Sequence, residues 1–330
     1  MIHMRRIVPT LGLLTALGLA TGCAWLDKMR PDPKPSHAPS GALKAKKPEE
    51  FVSYLNRQAG YVQTLRYDDV SLKATIPGQP WVPALRSGVM VAQKPKNFRM
   101  QSGLALGGDQ LDIGSNSQEF WMYVKQPKPT YLFCTHADFP KVQDDLPVPF
   151  EPDWVLQALG MTTYDSTKQY VVEISEKDRV YYLKSEDTTP AGQKVLKVTE
   201  FAGDPSLGTQ PQVRRHLVLA QTKTGWQTNM IAEIHRVTVL DGTDPQTGQR
   251  VTVPVPTDVT LEWPQQKVKL ALTLGKPQLN TREEAALFSK PATLGNASPV
   301  NLADFRGNGA QPGLIRGATP GDLPVERKWK

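Results

Sequence analysis

The run Phe120-Trp121-Met122-Tyr123-Val124 decides how this sequence folds, because it contains no charged or small polar residue. Side chains of a strand alternate between the two faces of a sheet, and a sheet with one wet face alternates apolar and polar residues. The neighbouring run Tyr131-Leu132-Phe133-Cys134 has the same composition. The sequence therefore predicts strands covered on both faces, either as central strands beneath other elements or with one face lining an apolar cavity.

Further strands are expected on both sides of this pair. From Val70 to Leu274, short runs rich in Val, Tyr, Thr, Trp and Leu are separated by Gly, Pro and Asp. This pattern is typical of antiparallel strands, and we predict about eleven to thirteen of them. Asp241-Gly242-Thr243-Asp244 has the composition of a hairpin turn. A sheet of this size tends to curl.

Two helices are expected beside the strands. Apolar residues recur at helical spacing near the start of the domain and predict an amphipathic helix of about sixteen residues. They are Phe51, Leu55, Ala59, Val62 and Leu65. Pro152 and Gly160 bracket a second, two-turn helix, since proline favours a helix start and glycine its end. A helix over the concave face would cover the apolar side of the sheet, so the predicted fold is mostly β with few helices, in the α+β class.

The first residues have the composition of a bacterial export signal. Arg5 and Arg6 precede an uncharged stretch from Ile7 to Ala20, which is the order of a signal peptide. At about 1.5 Å per helical residue, that stretch is too short for a hydrocarbon core of about 30 Å, so a transmembrane helix is the weaker interpretation. The stretch ends in Leu19-Ala20-Thr21-Gly22-Cys23, which resembles the bacterial lipobox, with Ala20 in place of the commoner leucine.

We therefore predict a signal peptide over residues 1–22 and acylation of Cys23, which would hold the mature chain on a membrane. Ala24, and not aspartate, follows the cysteine. By resemblance to Gram-negative lipoproteins, this favours the periplasmic face of the outer membrane. The alternative is an ordinary signal peptide that ends in a chance cysteine. Residues 23–50 are rich in Pro and Lys and poor in large apolar groups, which predicts a disordered tether.

Most of the excess charge lies outside the predicted β domain, residues 51–280. The chain has a net charge of +7, of which +2 falls in each of residues 1–22, 24–50 and 281–330, leaving +1 for the domain. A domain this close to neutrality lacks the basic surface that binds phosphate backbones, so we expect no nucleic acid partner. From Ser289 to Lys330 the chain is rich in Gly, Pro, Asn and Arg without periodicity, and we predict a disordered tail over residues 281–330.

The sequence contains no residue pattern that predicts catalysis. His136, His216 and His235 are scattered over separate segments without metal-ligand spacing. The sequence has no GxSxG elbow, GxxxxGK[ST] loop or CxxC pair. We therefore expect a non-catalytic protein without a metal or cofactor. Cys134 lies in an apolar run and is expected to be a buried, unreactive thiol.

Several segments share the order and spacing of consecutive strands in one known family. They are Lys94-Pro95-Lys96-Asn97-Phe98-Arg99-Met100, Leu111-Asp112-Ile113-Gly114-Ser115-Asn116, Phe120-Trp121-Met122-Tyr123 with Pro127, Val253 to Trp263, and Lys267 to Leu274 with Leu279-Asn280. Together they resemble the lipoprotein-carrier superfamily of LolA and LolB type, with the related RseB-type sensors. The chain departs from the family pattern in spreading an Asp-Gly pair over Asp112 to Asn116 and in having Lys94 where carriers commonly have arginine.

The resemblance implies an incomplete antiparallel β-barrel, or half-barrel, with a helical lid over an apolar cavity that binds lipoprotein acyl chains. Expected lining residues, each of which could equally belong to a packed core, are Phe98, Met100, Phe120, Met122, Leu217, Leu219, Ile234, Leu270 and Leu272. The soluble carriers have no lipid anchor, so an anchored chain resembles the acceptor more.

The predicted function is that of a membrane-anchored periplasmic protein that binds lipid or lipoprotein acyl chains for transfer, acceptance or sensing. The alternative is a non-catalytic interaction module that holds a cell-envelope protein partner and has a filled core.

Overall fold

The computed structural model describes residues 42–78, 84–104, 108–125, 129–142, 152–189, 192–204 and 210–307. Its helices are α1 (Pro48–Tyr61), α2 (Phe139–Val142) and α3 (Pro152–Ala158), and 3₁₀ helices cover Ala285–Phe288 and Leu302–Gly307. Its strands are β1 (Thr64–Thr75), β2 (Leu85–Gln93), β3 (Asn97–Leu104), β4 (Gly108–Ser115), β5 (Glu119–Val124), β6 (Thr130–Thr135), β7 (Val171–Ser175), β8 (Val180–Thr188), β9 (Lys194–Ala202), β10 (Val213–Thr222), β11 (Gly225–Thr243), β12 (Arg250–Trp263), β13 (Val268–Leu279) and β14 (Val300–Asn301). The predicted signal peptide, Cys23 and most of the predicted tether lie outside the described residues.

These strands form one sheet in the order β14-β6-β5-β4-β3-β2-β1-β13-β12-β11-β10-β9-β8-β7. Neighbours pair antiparallel, except that β14 pairs parallel with β6. The outer strands β14 and β7 do not pair with each other, so the sheet does not close into a barrel. Leu111 of β4 and Val195 of β9 belong to one hydrophobic core, which requires the sheet to curl. The predicted fold, mostly β with an incomplete antiparallel barrel and few helices, is confirmed.

Helix α1 begins earlier and ends earlier than the apolar spacing predicts. Pro48 occupies the first turn, and Glu50 Oε1 accepts a hydrogen bond from the Lys47 backbone N–H at 2.8 Å, which satisfies a free donor at the helix start. Val62 is already extended, and β1 contains Leu65. The predicted helix was too long because Leu65, an inward-facing strand residue, happens to continue the helical spacing.

The domain also begins before the predicted boundary at residue 51. The Leu43 side chain packs against the cluster of Phe51, Tyr181 and Phe201, and its backbone N–H donates to Glu176 Oε1 at 2.8 Å. Tyr181 donates its hydroxyl to Lys44 O at 2.8 Å. Residues 43–50 are therefore held on the domain, which corrects the predicted end of the tether.

Helix α3 covers one face of the sheet. Its residues Trp154, Val155 and Leu156 are buried in the main core with residues of β1–β4 and β9–β13. Gly160 follows the helix with a φ of +73°, and Met161 donates its backbone N–H to Leu156 O at 2.9 Å. The predicted helix between Pro152 and Gly160 is thus present and ends at a left-handed glycine.

Residues 281–299 form a C-terminal strap across the opposite face of β1–β6, before the chain joins the sheet edge as β14. Phe288 in this strap is buried, and Leu294 and Ala297 pack against Trp121 and Tyr123. Five side-chain contacts hold it: Arg66 to Glu283 at 3.1 Å, Arg99 to Leu287 O at 2.9 Å, Asn116 to Phe288 O at 3.1 Å, Lys290 to Glu119 at 2.9 Å and Tyr131 to Pro291 O at 2.5 Å. The prediction of disorder from residue 281 was therefore wrong for residues 281–307.

The hairpin turn between β11 and β12 lies further along the chain than predicted. Strand β11 includes Asp241-Gly242-Thr243, each paired with a residue of β12. The turn starts at Asp244, whose carboxylate accepts the Gln246 backbone N–H at 2.8 Å.

Among the described residues, no helix is both long enough and apolar enough to cross a membrane.

Candidate functional site

Five of the predicted lining residues lie in the main core. Phe98, Met100 and Leu272 are buried there, and Met122 and Leu270 pack against it. The side chains of α3 occupy the same core, so these residues contact protein around them. Phe120 belongs to a smaller cluster with Cys134, Phe139 and Val142.

Leu217 and Leu219 point away from the main core. Val218 is a member of that core, and Val218 and Ala220 are buried, whereas the alternate residues Leu217 and Leu219 are only half-buried. Side chains of a strand alternate between faces, so these two leucines lie on the other face of the sheet. The structure thus places these two predicted lining residues outside the main core. The sequence could not choose between the two faces, because His216-Leu217-Val218-Leu219-Ala220 has no clear polar face.

An open groove lies beside α1. Its volume is about 770 Å³, within the range of small-molecule sites. We call it the α1 groove, and its lining residues are Lys46, Glu50, Phe51, Tyr54, Phe201, Gly203, Asp204, Gln210, Gln212, Val237, Val239, Thr252 and Pro254. The buried members Phe51, Phe201 and Val237 are apolar, whereas Lys46 and Glu50 are exposed. The groove therefore has an apolar interior and charged groups at the surface.

Aromatic side chains build the helix side of the groove. The rings of Phe51 and Phe201 lie 4.7 Å apart, and Tyr54 meets Phe201 edge-on at 6.2 Å. Lys46 Nζ lies 5.7 Å from the Phe51 ring centre, within the range of a cation–π contact. Burial raises the pKa of Tyr54, so its hydroxyl stays neutral.

Strands β11 and β12 form the other side. Val239 pairs with Pro254 across the two strands, and the register shifts between Ile234, Arg236 and Val237. Such irregularities re-aim the side chains that follow them. Val239 is 54% exposed, although large aliphatic side chains are usually buried.

A smaller cavity of about 70 Å³ lies beside the groove. We call it the inner cavity. It shares the lining residues Tyr54, Gln212, Val237 and Pro254 with the groove. Ile234 also lines it, so one predicted lining residue is found at a cavity wall.

The far wall of the inner cavity is polar. His216 Nδ1 lies 3.2 Å from Thr199 Oγ1 and 3.5 Å from the Tyr164 hydroxyl. Gln157 Nε2 donates to the Tyr164 hydroxyl at 3.0 Å. Burial lowers the pKa of His216 to about 4, because a charged imidazolium is disfavoured away from water. The ring is therefore neutral at physiological pH.

Helix α1 holds this polar wall in place. Asn56 Nδ2 donates to Tyr164 O at 2.8 Å, and Asn56 Oδ1 accepts the Tyr164 backbone N–H at 2.7 Å. This pair of bonds fixes the backbone of Tyr164 and hence its hydroxyl beside His216. The helix therefore contributes to both the groove and the inner cavity.

A polar cavity of about 150 Å³ adjoins the inner cavity and shares Gln157, Thr162 and Tyr164 with it. Asp187 here accepts hydrogen bonds from Lys168 at 2.8 Å and contacts Lys197 at 3.0 Å. Burial opposes ionisation of Asp187, but the two lysines outweigh it and lower its pKa. The charges of Asp187, Lys168 and Lys197 are thus paired with one another within the protein.

The described residues contain no group of three or more His, Cys, Asp or Glu side chains that could hold a metal ion. His136 Nε2 lies 2.7 Å from Asn116 O, and His235 Nε2 lies 2.9 Å from Thr260 Oγ1. Cys134 is fully buried, and burial raises the pKa of its thiol to about 11. The two histidines are thus hydrogen-bonded within the protein, and the cysteine is packed in its interior.

The groove was not predicted, because its walls come from distant parts of the sequence. Phe51 belongs to the predicted first helix and Phe201 lies far along the chain, and nothing in the sequence indicates that they meet. The sequence signal for the groove is the run Val253-Pro254-Val255-Pro256. Proline has no backbone N–H to donate to a neighbouring strand, so within sheets it is usual at edges and bulges.

Comparisons with known proteins give structural matches only. No protein family profile and no curated protein sequence matches this chain. A LolA superfamily protein from Nitrosomonas europaea matches with a TM-score of 0.40 and 12% identity, covering 72% of this chain and 97% of that chain. A domain assigned as an outer membrane lipoprotein-sorting protein from Vibrio parahaemolyticus matches with a TM-score of 0.32 and 9% identity, covering 73% and 94%. A DUF1329 family protein from Desulfovibrio piger matches with a TM-score of 0.31 and 11% identity, covering 73% and 95%.

Proposed function

We propose that this chain is a lipoprotein of the bacterial cell envelope, anchored to the outer membrane by acylated Cys23, that binds a lipid or lipoprotein acyl chain in the α1 groove. The observation that carries the proposal is the groove itself, with a volume of about 770 Å³ and buried apolar side chains. An acyl chain gains about 0.8 kcal/mol for each methylene removed from water. The groove is suited to such a ligand because the buried part of its surface is apolar.

The first described residues lie beside the groove, and this supports the proposal. Leu43 and Lys44 are held on the domain beside Tyr181, and Lys46 already lines the groove. The start of the domain therefore lies beside the groove. This arrangement is suited to a stationary protein that accepts or senses lipid at a membrane surface.

The test is displacement of a fluorescent fatty acid from the purified full chain, comparing Val239→Asp with Val171→Asp. Both valines lie on strands and are similarly exposed, at 54% and 56%, but only Val239 lines the groove. A carboxylate facing an apolar chain is costly, so Val239→Asp is expected to weaken binding at least about tenfold. Val171→Asp is expected to bind as the unmodified chain does. Equal affinities of the two variants, or no uptake by the unmodified chain, would overturn the proposal.

A second function, as a non-catalytic interaction module for an envelope protein, is supported by one observation. The predicted lining residues Phe98, Met100 and Leu272 pack in a core that α3 also occupies. In that case the groove would hold a protein side chain or segment. Cross-linking from residue 239 in intact cells separates the two functions, because lipid binding predicts lipid adducts and an interaction module predicts one dominant protein adduct.

A further inference from the structure

The β10–β11 hairpin presents an exposed tryptophan at one end of the sheet. Trp226 is the second residue of β11 and is 39% exposed, although tryptophan is highly buried on average. It pairs with Gln221 of β10, and residues paired across antiparallel strands share a face. Leu219, two residues before Gln221, lies on that same face. The ring therefore borders the outer face of the sheet, which is the face opposite the main core.

Aliphatic side chains continue from this ring across the outer face of β9–β11. Leu219 pairs with Leu196, and Leu217 pairs with Ile231. All four are half-buried and belong to none of the hydrophobic clusters that the described residues form. We call these four residues and Trp226 the outer patch. A single exposed apolar residue needs no explanation, but a contiguous apolar patch indicates an interaction surface.

Lysines lie beside the outer patch at the same end of the sheet. Lys194 starts β9, Lys223 lies in the β10–β11 turn, and Lys267 lies in the β12–β13 turn. Alternate connections between consecutive antiparallel strands lie at one end of a sheet, and these three connections contain no Asp or Glu. The three lysines are exposed, and none of them forms an ion pair with a residue that the structure describes. We call this the lysine end of the sheet.

The other end of the sheet has the opposite balance of charge. The connections β7–β8, β9–β10 and β11–β12 contain two basic residues, Lys177 and Arg179, and four acidic ones, Glu176, Asp178, Asp204 and Asp244. An anionic surface attracts the lysine end and repels the acidic end. The domain is thus oriented by charge although its net charge is close to zero.

We propose that the lysine end docks on an anionic lipid bilayer, with Trp226 in the interfacial region and Lys194, Lys223 and Lys267 beside the headgroups. Tryptophan is enriched at membrane–water interfaces, and lysines near an anionic leaflet are attracted to it. The three lysines extend from β9 to β13, four strand spacings or about 19 Å. A flat charged surface reaches all of them at once, whereas one anionic group would reach one or two.

Docking at the lysine end is compatible with an anchor at Cys23. Trp226 and Val239 of the α1 groove are thirteen residues apart on β11, which is at most about 43 Å along a strand. Cys23 and Leu43 are twenty residues apart, and that length of chain can span up to about 66 Å. The groove would then open away from the bilayer. The inference uses neither the groove nor the anchor.

The test places an environment-sensitive dye on the hairpin of the full chain. Thr224→Cys is labelled with NBD, and the unmodified chain, treated in the same way, corrects for any dye on Cys23. The vesicles are pure phosphatidylcholine or contain one third phosphatidylglycerol. We expect the NBD emission to rise and shift to shorter wavelength only with phosphatidylglycerol. The response should weaken in 1 M salt, because the Debye length falls from about 10 Å at 0.1 M to about 3 Å. The same dye on Gln246→Cys, in the β11–β12 turn at the other end, should not respond.

Trp226→Ala, made in the Thr224→Cys chain, is expected to lose most of the response. The exposed position of Trp226 at a hairpin tip makes this variant compatible with folding. Val300→Ala is the matched control, because Val300 is 44% exposed and lies on β14 at the far edge of the sheet. It should respond as the labelled parent does.

A second pair of variants tests the charge. Lys223→Gln with Lys267→Gln is expected to weaken the response about tenfold or more in a titration with phosphatidylglycerol vesicles. Lys177→Gln with Lys276→Gln removes the same charge from exposed lysines near the other end and should leave the response unchanged.

The outcomes separate this inference from acyl-chain binding. Equal responses to both kinds of vesicle, an equal response at residue 246, or a response that survives in both the Trp226 and the lysine variants would overturn docking at the lysine end. So would no response to either vesicle. None of these results affects displacement of the fluorescent fatty acid, which tests the groove.

Discussion

At the residue scale, contacts with Trp121 explain why Asp112 and Gly114 are separated by one residue in this chain. The Asp112 carboxylate is fully buried and accepts the Trp121 Nε1–H at 3.0 Å. A side chain on Gly114 would lie 2.0 Å from the Trp121 ring, so only glycine leaves room for it. Asp112 and Gly114 therefore face the same tryptophan. The carboxylate binds the indole N–H, and the glycine leaves space for the ring.

Asp112 also pairs with a largely buried cation. Arg99 Nη2 lies 2.7 Å from Asp112 Oδ2, and the side chain of Arg99 is only 13% exposed. We expect Asp112→Asn to lower the free energy of unfolding by about 3–5 kcal/mol, because it leaves a guanidinium without its counter-charge. The measurement is urea unfolding followed by tryptophan fluorescence.

Asp258→Asn is the matched control for this prediction. Asp258 pairs with Arg236 at 3.3 Å, and the arginine side chain is 62% exposed. Exposed pairs contribute up to about 1 kcal/mol, so Asp258→Asn is expected to lower the free energy of unfolding by that amount or less. Similar losses in both variants would contradict the role given to Asp112.

His216 makes the stability depend on pH. Because burial lowers its pKa to about 4 from 6.5, the unfolded chain binds more protons than the native chain between these values. Stability must therefore fall as the pH decreases through this range. The contribution is about 2–3 kcal/mol between pH 7 and pH 4.5.

The variant His216→Asn isolates this contribution. It is expected to be less stable at pH 7, yet to lose less stability than the unmodified chain on going to pH 4.5. Urea unfolding of both proteins at the two pH values measures the difference, since carboxylate titration is common to both. Parallel pH profiles would show that His216 is not the group responsible.

At the scale of elements, the C-terminal strap accounts for the sequence run that has no polar face. Met122 and Val124 pack against the main core, while Trp121 and Tyr123 lie beneath Leu294 and Ala297 of the strap. Both faces of β5 are thus covered by protein. The expectation of a strand covered on both faces was right, but part of the cover is a segment predicted to be disordered.

Phe288 should anchor the strap. It is 3% exposed, and Phe→Ala in a core costs about 3–5 kcal/mol. We expect Phe288→Ala to reduce stability by that amount and to raise hydrogen exchange in β5 and β6, measured by mass spectrometry. Val300→Ala, at a residue 44% exposed, should change stability by less than about 0.5 kcal/mol. Unchanged exchange in β5 and β6 would mean that the strap does not protect this face.

At the scale of the whole molecule, the domain is one curled sheet. Before α1 begins, Leu43 and Lys44 are already held on it. The proposed membrane anchor is Cys23, which precedes these residues in the chain. We expect Cys23→Ser to move the protein from the membrane fraction to the soluble periplasmic fraction and to abolish labelling with a palmitate analogue. Cys134→Ser is the control, because Cys134 is buried. Membrane retention and labelling of Cys23→Ser would exclude the anchor.

The sequence predicted the fold class from features that act locally. Strand runs, turn residues and the Pro152–Gly160 bracket depend on backbone preferences of neighbouring residues, so they are visible without a structure. The burial of Cys134 could be predicted in the same way, since it lies in an apolar run. The boundaries of α1 and of the β11–β12 turn were less accurate, because apolar spacing and turn composition can continue past the true end of an element.

What the sequence alone determined is a mostly β chain with few helices and an apolar run that needs cover on both faces. Only the tertiary structure decided what supplies the cover, which face Leu217 and Leu219 occupy, and where a groove forms. A strand slipped by one residue exchanges its two faces, so a run that is apolar throughout cannot specify its own orientation. The groove joins Phe51, Phe201 and Val239, residues far apart in the chain, and their proximity depends on how the whole sheet curls.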